Sequence, residues 1–145
     1  MKPKYQQAHM RAAHIYSELS HARRLKVGAL IVKDDRIISI GYNGMPSGWD
    51  NNCEYVDIQY EDGGQTLKTR PEVLHAETNA IAKLARSSES GLGAAIFVTH
   101  SPCLDCAKII YQSGIKHVYY ATDYRDDSGI TFLRDSGIEV EKVNV

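Results

Sequence analysis

Residues 94–121 read "AAIFVTHSPCLDCAKIIYQSGIKHVYYA". The run "AAIFVT" is short, apolar and β-rich, the pattern of a buried strand. Cys103 to Ser113 follow with a helical pattern that ends at Gly114, where a left-handed cap costs glycine least. "HVYYA" at 117–121 is the next strand. A strand, a helix and a strand in this order require parallel pairing with a right-handed crossover.

The same unit recurs downstream, where a short helix around Ile130 to Asp135, closed by Gly137, leads to "IEVEKV" at 138–143. Upstream, residues 5–19 set Ala8, Ala12, Ile15, Tyr16 and Leu19 at helical spacing, predicting an amphipathic opening helix. "VGALIVK" (27–33) and "RIISIGYN" (36–43), parted by Asp34 and Asp35, read as an antiparallel hairpin. From Pro71 the pattern turns helical, with Glu77, Ala80, Ile81, Leu84 and Ala85 on related positions, until "SSESGLG" (87–93) breaks it. The order α, β, β, α, β, α, β, α, β predicts an α/β fold: a mixed five-stranded sheet with helices on both faces. Residues 43–72 carry Gly, Pro, Asn and Asp without clear periodicity, and so long a connection reads as a substrate-covering loop.

A chain of 145 residues fits one domain, 1–145, large enough to bury a core without staples. Its 43% hydrophobic and 24% charged residues match a globular protein rather than a disordered or fibrous one. No run approaches the roughly 18 apolar residues of a membrane span, and "MKPKYQQAHM" lacks the apolar centre of a secretory signal, so no membrane partner and a cytoplasmic location are expected. An odd cysteine count, Cys53, Cys103 and Cys106, argues against a structural disulfide there. A net charge of -1 argues against a nucleic-acid partner and favours a small substrate, although "HARRLK" at 21–26 forms a local cationic run.

Pro102 suits the first turn of a helix, and Cys103 and Cys106 at i, i+3 share one face of it. Free N–H groups and the positive helix end favour thiolates, which suit a borderline cation such as Zn²⁺. Cys-x-x-Cys also serves redox dithiols and zinc knuckles, so a further ligand is required. "LHAETNAI" (74–81) supplies His75 at a helix start, with Glu77 two residues on. His75, Cys103 and Cys106 leave a fourth position for water, the mark of a catalytic rather than a structural zinc. Cys53 would close that position if its loop reached it; His100, at a strand end, reads as a hydrogen-bonded polar residue instead. Glu77 fits a general base and acid beside the ion, against the plainer reading of a first-turn acid complementing the dipole.

His-x-Glu with a later Pro-Cys-x-x-Cys is the general signature of zinc-dependent nucleobase deaminases. With "VGALIV" (27–32), "GYNGMPSG" (41–48), "HAETNAI" (75–81) and "SPCLDCAKIIYQSGIKHVYY" (101–120), the chain resembles the cytidine and deoxycytidylate deaminase superfamily, most closely its deoxycytidylate (dCMP) branch. The likeness runs from the first helix to the last strand. Free-cytidine deaminases usually carry Cys-Ala-Glu where this chain has His75, Ala76 and Glu77, and tRNA adenosine deaminases usually lack the "GYNGMPSG" pattern.

The resemblance implies a three-layer α/β/α cytidine-deaminase-like fold, one catalytic Zn²⁺ per chain, and hydrolysis of dCMP to dUMP and ammonia, supplying dUMP for dTMP synthesis. It implies that Glu77 carries protons to N3 of cytosine and to the departing amino group. Asn43 would bond the sugar or base edge, with Gly44 and Gly48 allowing close approach. Ala76, Ser101 and Tyr124 would contact substrate. Arg23, Arg24, Lys26, Arg125 and Ser47 are the candidate phosphate donors, although the family often carries an acidic residue where this chain reads Arg24, Leu25 and Lys26. Trp49, Tyr111 and Tyr124 are candidates to stack on the base. The family also implies a homo-oligomer, commonly a hexamer, and dCTP and dTTP as effectors; a cysteine-rich second zinc site is ruled out within one chain, since only Cys53 remains. The alternatives are a deaminase of another nucleoside, nucleotide or tRNA base, and a zinc-stapled binding module without catalysis.

Overall fold

The computed structural model describes residues 1–145. Helix α1 (Pro3–Ser17) leads into strands β1 (Gly28–Lys33) and β2 (Arg36–Tyr42), then β3 (Glu54–Gln59) and β4 (Gln65–Thr69). Alternation follows: α2 (Ala76–Ala85), β5 (Ala95–His100), α3 (Leu104–Gln112), β6 (His117–Thr122), α4 (Ser128–Asp135) and β7 (Glu139–Lys142). The main sheet has the order β2-β1-β5-β6-β7. β1 is antiparallel to both neighbours, while β5, β6 and β7 are parallel. The predicted mixed five-stranded sheet is therefore present, with each βαβ pair running in one direction.

Side chains alternate across β1, so Leu30 and Val32 meet Met10 and Ala13 of α1, while Ala29 and Ile31 face the other layer. That second layer is made by α2, α3 and α4, whose Ala80, Leu84, Ala107, Ile110, Ile130 and Leu133 close over Ile96, Val98 and Val118. On the α1 side, Phe97 and its cross-strand partner Tyr119 stack at 4.5 Å. The result is three layers, one helix over one face of the sheet and three over the other.

Four details differ from the sequence reading. In α1 the buried face is Met10, Ala13 and Ser17, while Ala8 and Ile15 are exposed, as is Leu19 just beyond the helix end. Ser17 is buried because its hydroxyl donates to its own helix at His14 O, 2.6 Å, so a polar residue needs no water there. α2 begins at Ala76 rather than near Pro71, because Leu74 and Gly44 pair through both backbone bonds, 2.8 and 3.1 Å, and hold the preceding chain extended. Pro102 precedes the N-cap Cys103 rather than occupying the first turn. Residues 43–72 are not structureless, since β3 and β4 form an antiparallel hairpin within them.

One edge of the sheet gathers the ends that matter. The C-terminal ends of β2, β5 and β6 lie there with the N-terminal end of β1, so residues 22–27, 43, 100–103 and 124–125 leave the sheet on one side. In sheets of this kind ligands bind beyond the carboxyl ends of parallel strands.

The β1–β2 turn contains two non-glycine residues in the left-handed region, Asp34 (φ 52°) and Asp35 (φ 60°). A two-residue hairpin needs both positive angles to match strand twist, and only the second is commonly given to glycine. Asp35→Gly is expected to raise the unfolding free energy by about 0.5–1 kcal/mol, checked by urea denaturation.

Candidate active site

Two helix starts supply the reactive side chains. His75 is the N-cap of α2 and Cys103 the N-cap of α3, both extended (ψ 156° and 170°), with Cys106 three residues into α3. Both positive helix ends therefore point toward the same group of donors. His75 Nδ1 lies 3.2 Å from Cys106 Sγ and 3.7 Å from Cys103 Sγ, and the three ligand atoms all fall within 4.8 Å of one another. Bonds of about 2.0 Å to nitrogen and 2.3 Å to sulfur in a tetrahedron give edges of about 3.5–3.8 Å. The donor set thus fits a zinc ion in both chemistry and spacing. Cys53 is absent from the cluster; its buried thiol donates to Asn51 O at 3.5 Å, and burial, then Glu54, pushes it up.

The helices reach these positions because side chains are missing beneath them. A Cβ on Gly41 would stand 2.2 Å from Ala76 O and 2.6 Å from Ala80 N, so the first turn of α2 lies directly on β2. A Cβ on Gly129 would stand 2.1 Å from Pro102 O and 2.8 Å from the Cys103 carbonyl carbon, so α4 backs directly onto the chain entering α3. Hydrogen bonds lock the first of these contacts: Ser39 Oγ donates to Ala80 O at 2.6 Å and Asn79 Nδ2 to Tyr42 O at 2.8 Å.

Glu77, in the first turn of α2, is buried, and burial pushes its carboxyl up to about 7 against the pull of its own backbone N–H and of His75. Hydrogen bonds from Cys106 and His75 hold the Cys103 thiol down to about 4, while Cys106 is pushed up by donating to Cys103. His75 is raised, chiefly by its bond to Cys103. A proton-exchanging carboxyl therefore sits beside a thiolate-bearing cluster, an arrangement typical of reacting sites.

These groups open on a cavity of about 340 Å³. His75, Glu77 and Cys103 line it, as do Arg24, Asn43, Ala76, Ser101, Tyr124 and Arg125 from the sequence reading. Gly44, Ser47, Gly48 and Lys26 are not part of its wall, nor are Trp49 and Tyr111. Asn43 does much of its bonding within the protein: Oδ1 accepts from Val27 N at 2.9 Å and Nδ2 donates to Leu25 O at 2.7 Å, shaping the chain before β1. Ser101 likewise accepts from Tyr124 N at 2.7 Å and sets the 124–125 segment. His100 lines the cavity without joining the cluster; its Nδ1 lies 3.0 Å from Thr99 Oγ1, and burial, then His14, lowers it.

The sequence reading missed Glu54 and Thr69, which also line the cavity. Glu54 is buried at the first position of β3 and accepts from Arg23 N (2.9 Å), Arg24 N (3.1 Å) and Arg23 Nε (3.4 Å). Burial pushes its carboxyl up, but these bonds together outweigh burial and leave it below the usual range. The signal that would have found the hairpin is "EDGGQ" at 61–65, a turn cluster between β-branched and aromatic residues.

The chain is similar to known proteins over most of its length. The family model described as "Cytidine and deoxycytidylate deaminase zinc-binding region" matches residues 3–122. ComE operon protein 2 of Bacillus subtilis (strain 168) is 37% identical over 146 residues, covering 97% of this chain and 72% of that protein. The deoxycytidylate deaminase of Enterobacteria phage T4 is 36% identical over 169 residues, covering 92% of this chain and 87% of that protein. The crystal structure of dCMP deaminase from the cyanophage S-TIM5, in complex with dCMP and dUMP, superposes with a TM-score of 0.87 at 48% identity, covering 98% of each chain.

Two outcomes follow from the geometry. Gly41→Ala forces α2 off β2; a loss of about 1–3 kcal/mol in stability is expected together with weaker zinc retention, read by denaturation and by chelator competition. Glu54→Gln removes a carboxylate whose folded-state pKa lies below its unfolded value near 4.3. Its stability deficit, about 1–2 kcal/mol, should be full at and above pH 5 and shrink as pH falls through the lowered folded-state value, measured by urea unfolding across pH.

Proposed function

Because the chain belongs to the cytidine and deoxycytidylate deaminase family, we propose that it hydrolyses dCMP to dUMP and ammonia. The observation that carries the reading is the meeting of His75, Cys103 and Cys106 with buried Glu77 on a cavity that also holds Arg24 and Arg125. His75, Cys103 and Cys106 would hold one Zn²⁺ per chain. When bound, the ion supplies an activated water by lowering its pKa toward 7, so that hydroxide is available near neutral pH.

The remaining steps belong to the protein. Glu77 takes up a proton at its carboxylate and delivers it to N3 of the pyrimidine, which makes C4 more electrophilic. Hydroxide from that water adds to C4, and Glu77 carries the hydroxyl proton of the adduct to the amino group, which leaves as ammonia while the added oxygen becomes the C4 carbonyl of dUMP. A carboxyl held near 7 by burial both accepts and releases protons at neutral pH, which a surface carboxylate near 4.3 would not do. Ala76 and Ser101 contact the base and sugar, Tyr124 stacks on the ring, and the free hydrogen-bonding capacity of Asn43 reaches the sugar. Arg24 and Arg125 receive the 5′-phosphate; Arg24 is held toward the cavity by a bond from Nη1 to Thr69 Oγ1 at 3.1 Å.

Residues 43–72 form the cover of this single domain, with Cys53, Glu54 and Thr69 at the cavity wall. The dUMP formed supplies dTMP synthesis in a cytoplasmic setting that keeps the thiols reduced. Assembly into homo-oligomers such as a hexamer, and control by dCTP and dTTP, belong to the same reading through the family. A tRNA-base deaminase and a non-catalytic zinc module are not favoured, since relatives matched over most of the chain, those of phage T4 and Homo sapiens among them, are named deoxycytidylate deaminase and the net charge is -1. No helix is long and apolar enough to cross a membrane.

The test is ammonia release from the purified zinc protein with dCMP, CMP, deoxycytidine, dCTP and adenine nucleotides. Conversion of dCMP in preference to all others is expected, and equal kcat/KM for deoxycytidine would remove the phosphate from the reading. Glu77→Gln should lower kcat by about 10²–10⁴ while zinc stays at one per chain; loss of zinc along with activity would contradict the proton-carrying role.

A further inference from the structure

The hairpin β3–β4 stands apart from the five-stranded sheet, yet its base is tied to the cavity. Glu54 and Thr69, its first and last residues, are cross-strand partners. Both grip the same cationic corner. Glu54 accepts the backbone N–H groups of Arg23 and Arg24, and Thr69 Oγ1 accepts from the Arg24 guanidinium. A carboxylate on two consecutive N–H groups fixes the direction of the chain there, and the threonine then fixes the direction of the side chain.

The backbone of this corner is also anchored before Arg23, where Ser20 Oγ donates to Asn43 O at 2.7 Å and accepts from Ala22 N at 3.1 Å, but neither bond reaches the Arg24 side chain. Residues 18–27 lie in turns and irregular chain between α1 and β1, held at their far end by Asn43 through Val27 N and Leu25 O. Arg23 itself points away from the cavity wall, its Nη2 bonding Asn52 Oδ1 at 3.1 Å beside the ion pair with Glu54. Arg24 is thus the member of the pair that faces substrate. Arg125 shares the cavity wall on a segment tied separately, through Ser101.

We propose that Glu54 and Thr69 are positioning residues that set Arg24 for the 5′-phosphate, so that the inserted hairpin governs discrimination between nucleotide and nucleoside without touching substrate. The inference rests on the reading that Arg24 receives the phosphate. Pre-orienting a charged donor matters because an unheld arginine must be ordered at the moment of binding, and that cost is subtracted from affinity.

The experiment compares Glu54→Gln, Thr69→Val and Arg24→Ala with the parent, all as zinc protein, measuring kcat and KM for dCMP, the Ki of deoxycytidine as competitive ligand, and zinc content. Glu54→Gln should raise KM for dCMP roughly tenfold and Thr69→Val roughly threefold. In both, kcat, zinc content and the Ki of deoxycytidine should stay within about twofold, because only phosphate binding is weakened. Arg24→Ala should cost more, and adding Glu54→Gln to it should cost little further, since the two act through one contact.

Parallel loss of dCMP and deoxycytidine binding, or loss of zinc, would assign Glu54 a general structural role and overturn the proposal. If Arg24→Ala raises KM for dCMP but neither hairpin variant does, the phosphate reading stands and the positioning role fails. If Arg24→Ala leaves KM for dCMP unchanged, the phosphate reading itself fails. Should Glu54→Gln not fold, Thr69→Val carries the comparison, because it removes only the guanidinium bond.

Discussion

Everything in this molecule that bears on chemistry depends on two backbone contacts too close to admit a side chain. At Gly41 the start of α2 rests on β2, and at Gly129 the start of α4 rests on the chain entering α3. Together they set where two helices begin. A helix start exposes unpaired N–H groups and a partial positive charge, and here two such ends converge on His75, Cys103 and Cys106. The sheet supplies rigidity, while the glycines supply the last few ångströms of approach.

That convergence explains the electrostatics without further assumptions. The Cys103 thiolate is favoured by the helix end and by hydrogen bonds from Cys106 and His75, so Cys103 ionises far below an ordinary thiol. Glu77 lies in the first turn of the other helix, α2, and is buried, so its carboxyl is held up to about 7 beside that thiolate. Two groups on converging helix starts are driven in opposite directions, one toward permanent charge, the other toward proton exchange. The far part of the cavity is organised differently, by the buried Glu54 and Ser101 and the half-buried Asn43, which direct hydrogen bonds to the backbone and leave cationic side chains facing inward.

What was legible in the sequence follows the same division. The sheet and its helices were readable because β-branched runs and glycine stops recur at regular intervals, and the meeting of His75, Cys103 and Cys106 because His-x-Glu and Pro-Cys-x-x-Cys each mark a helix start. The buried face of α1 was not, since Ser17 satisfies itself locally and Ile15 and Leu19 remain on the surface. The hairpin β3–β4 was hidden because its strands are exposed on both faces and lack a core stripe. Glu54 was illegible for a deeper reason: its partners lie about 30 residues away in sequence, and only tertiary structure brings a carboxylate to the N–H groups of Arg23 and Arg24. Gly44, Ser47, Gly48 and Lys26 sit in or beside informative motifs yet lie outside the cavity wall, where Gly44 instead pairs with Leu74 and orders the approach to α2.

The central claim is a zinc ion held by one imidazole and two sulfurs with its fourth position free for water. X-ray absorption at the zinc edge on the purified protein tests it most directly. Two sulfur neighbours at about 2.3 Å and two nitrogen or oxygen neighbours at about 2.0 Å are predicted, with the light-atom shell changing when dUMP is added. A third sulfur in the shell, or a spectrum indifferent to dUMP, would contradict the account.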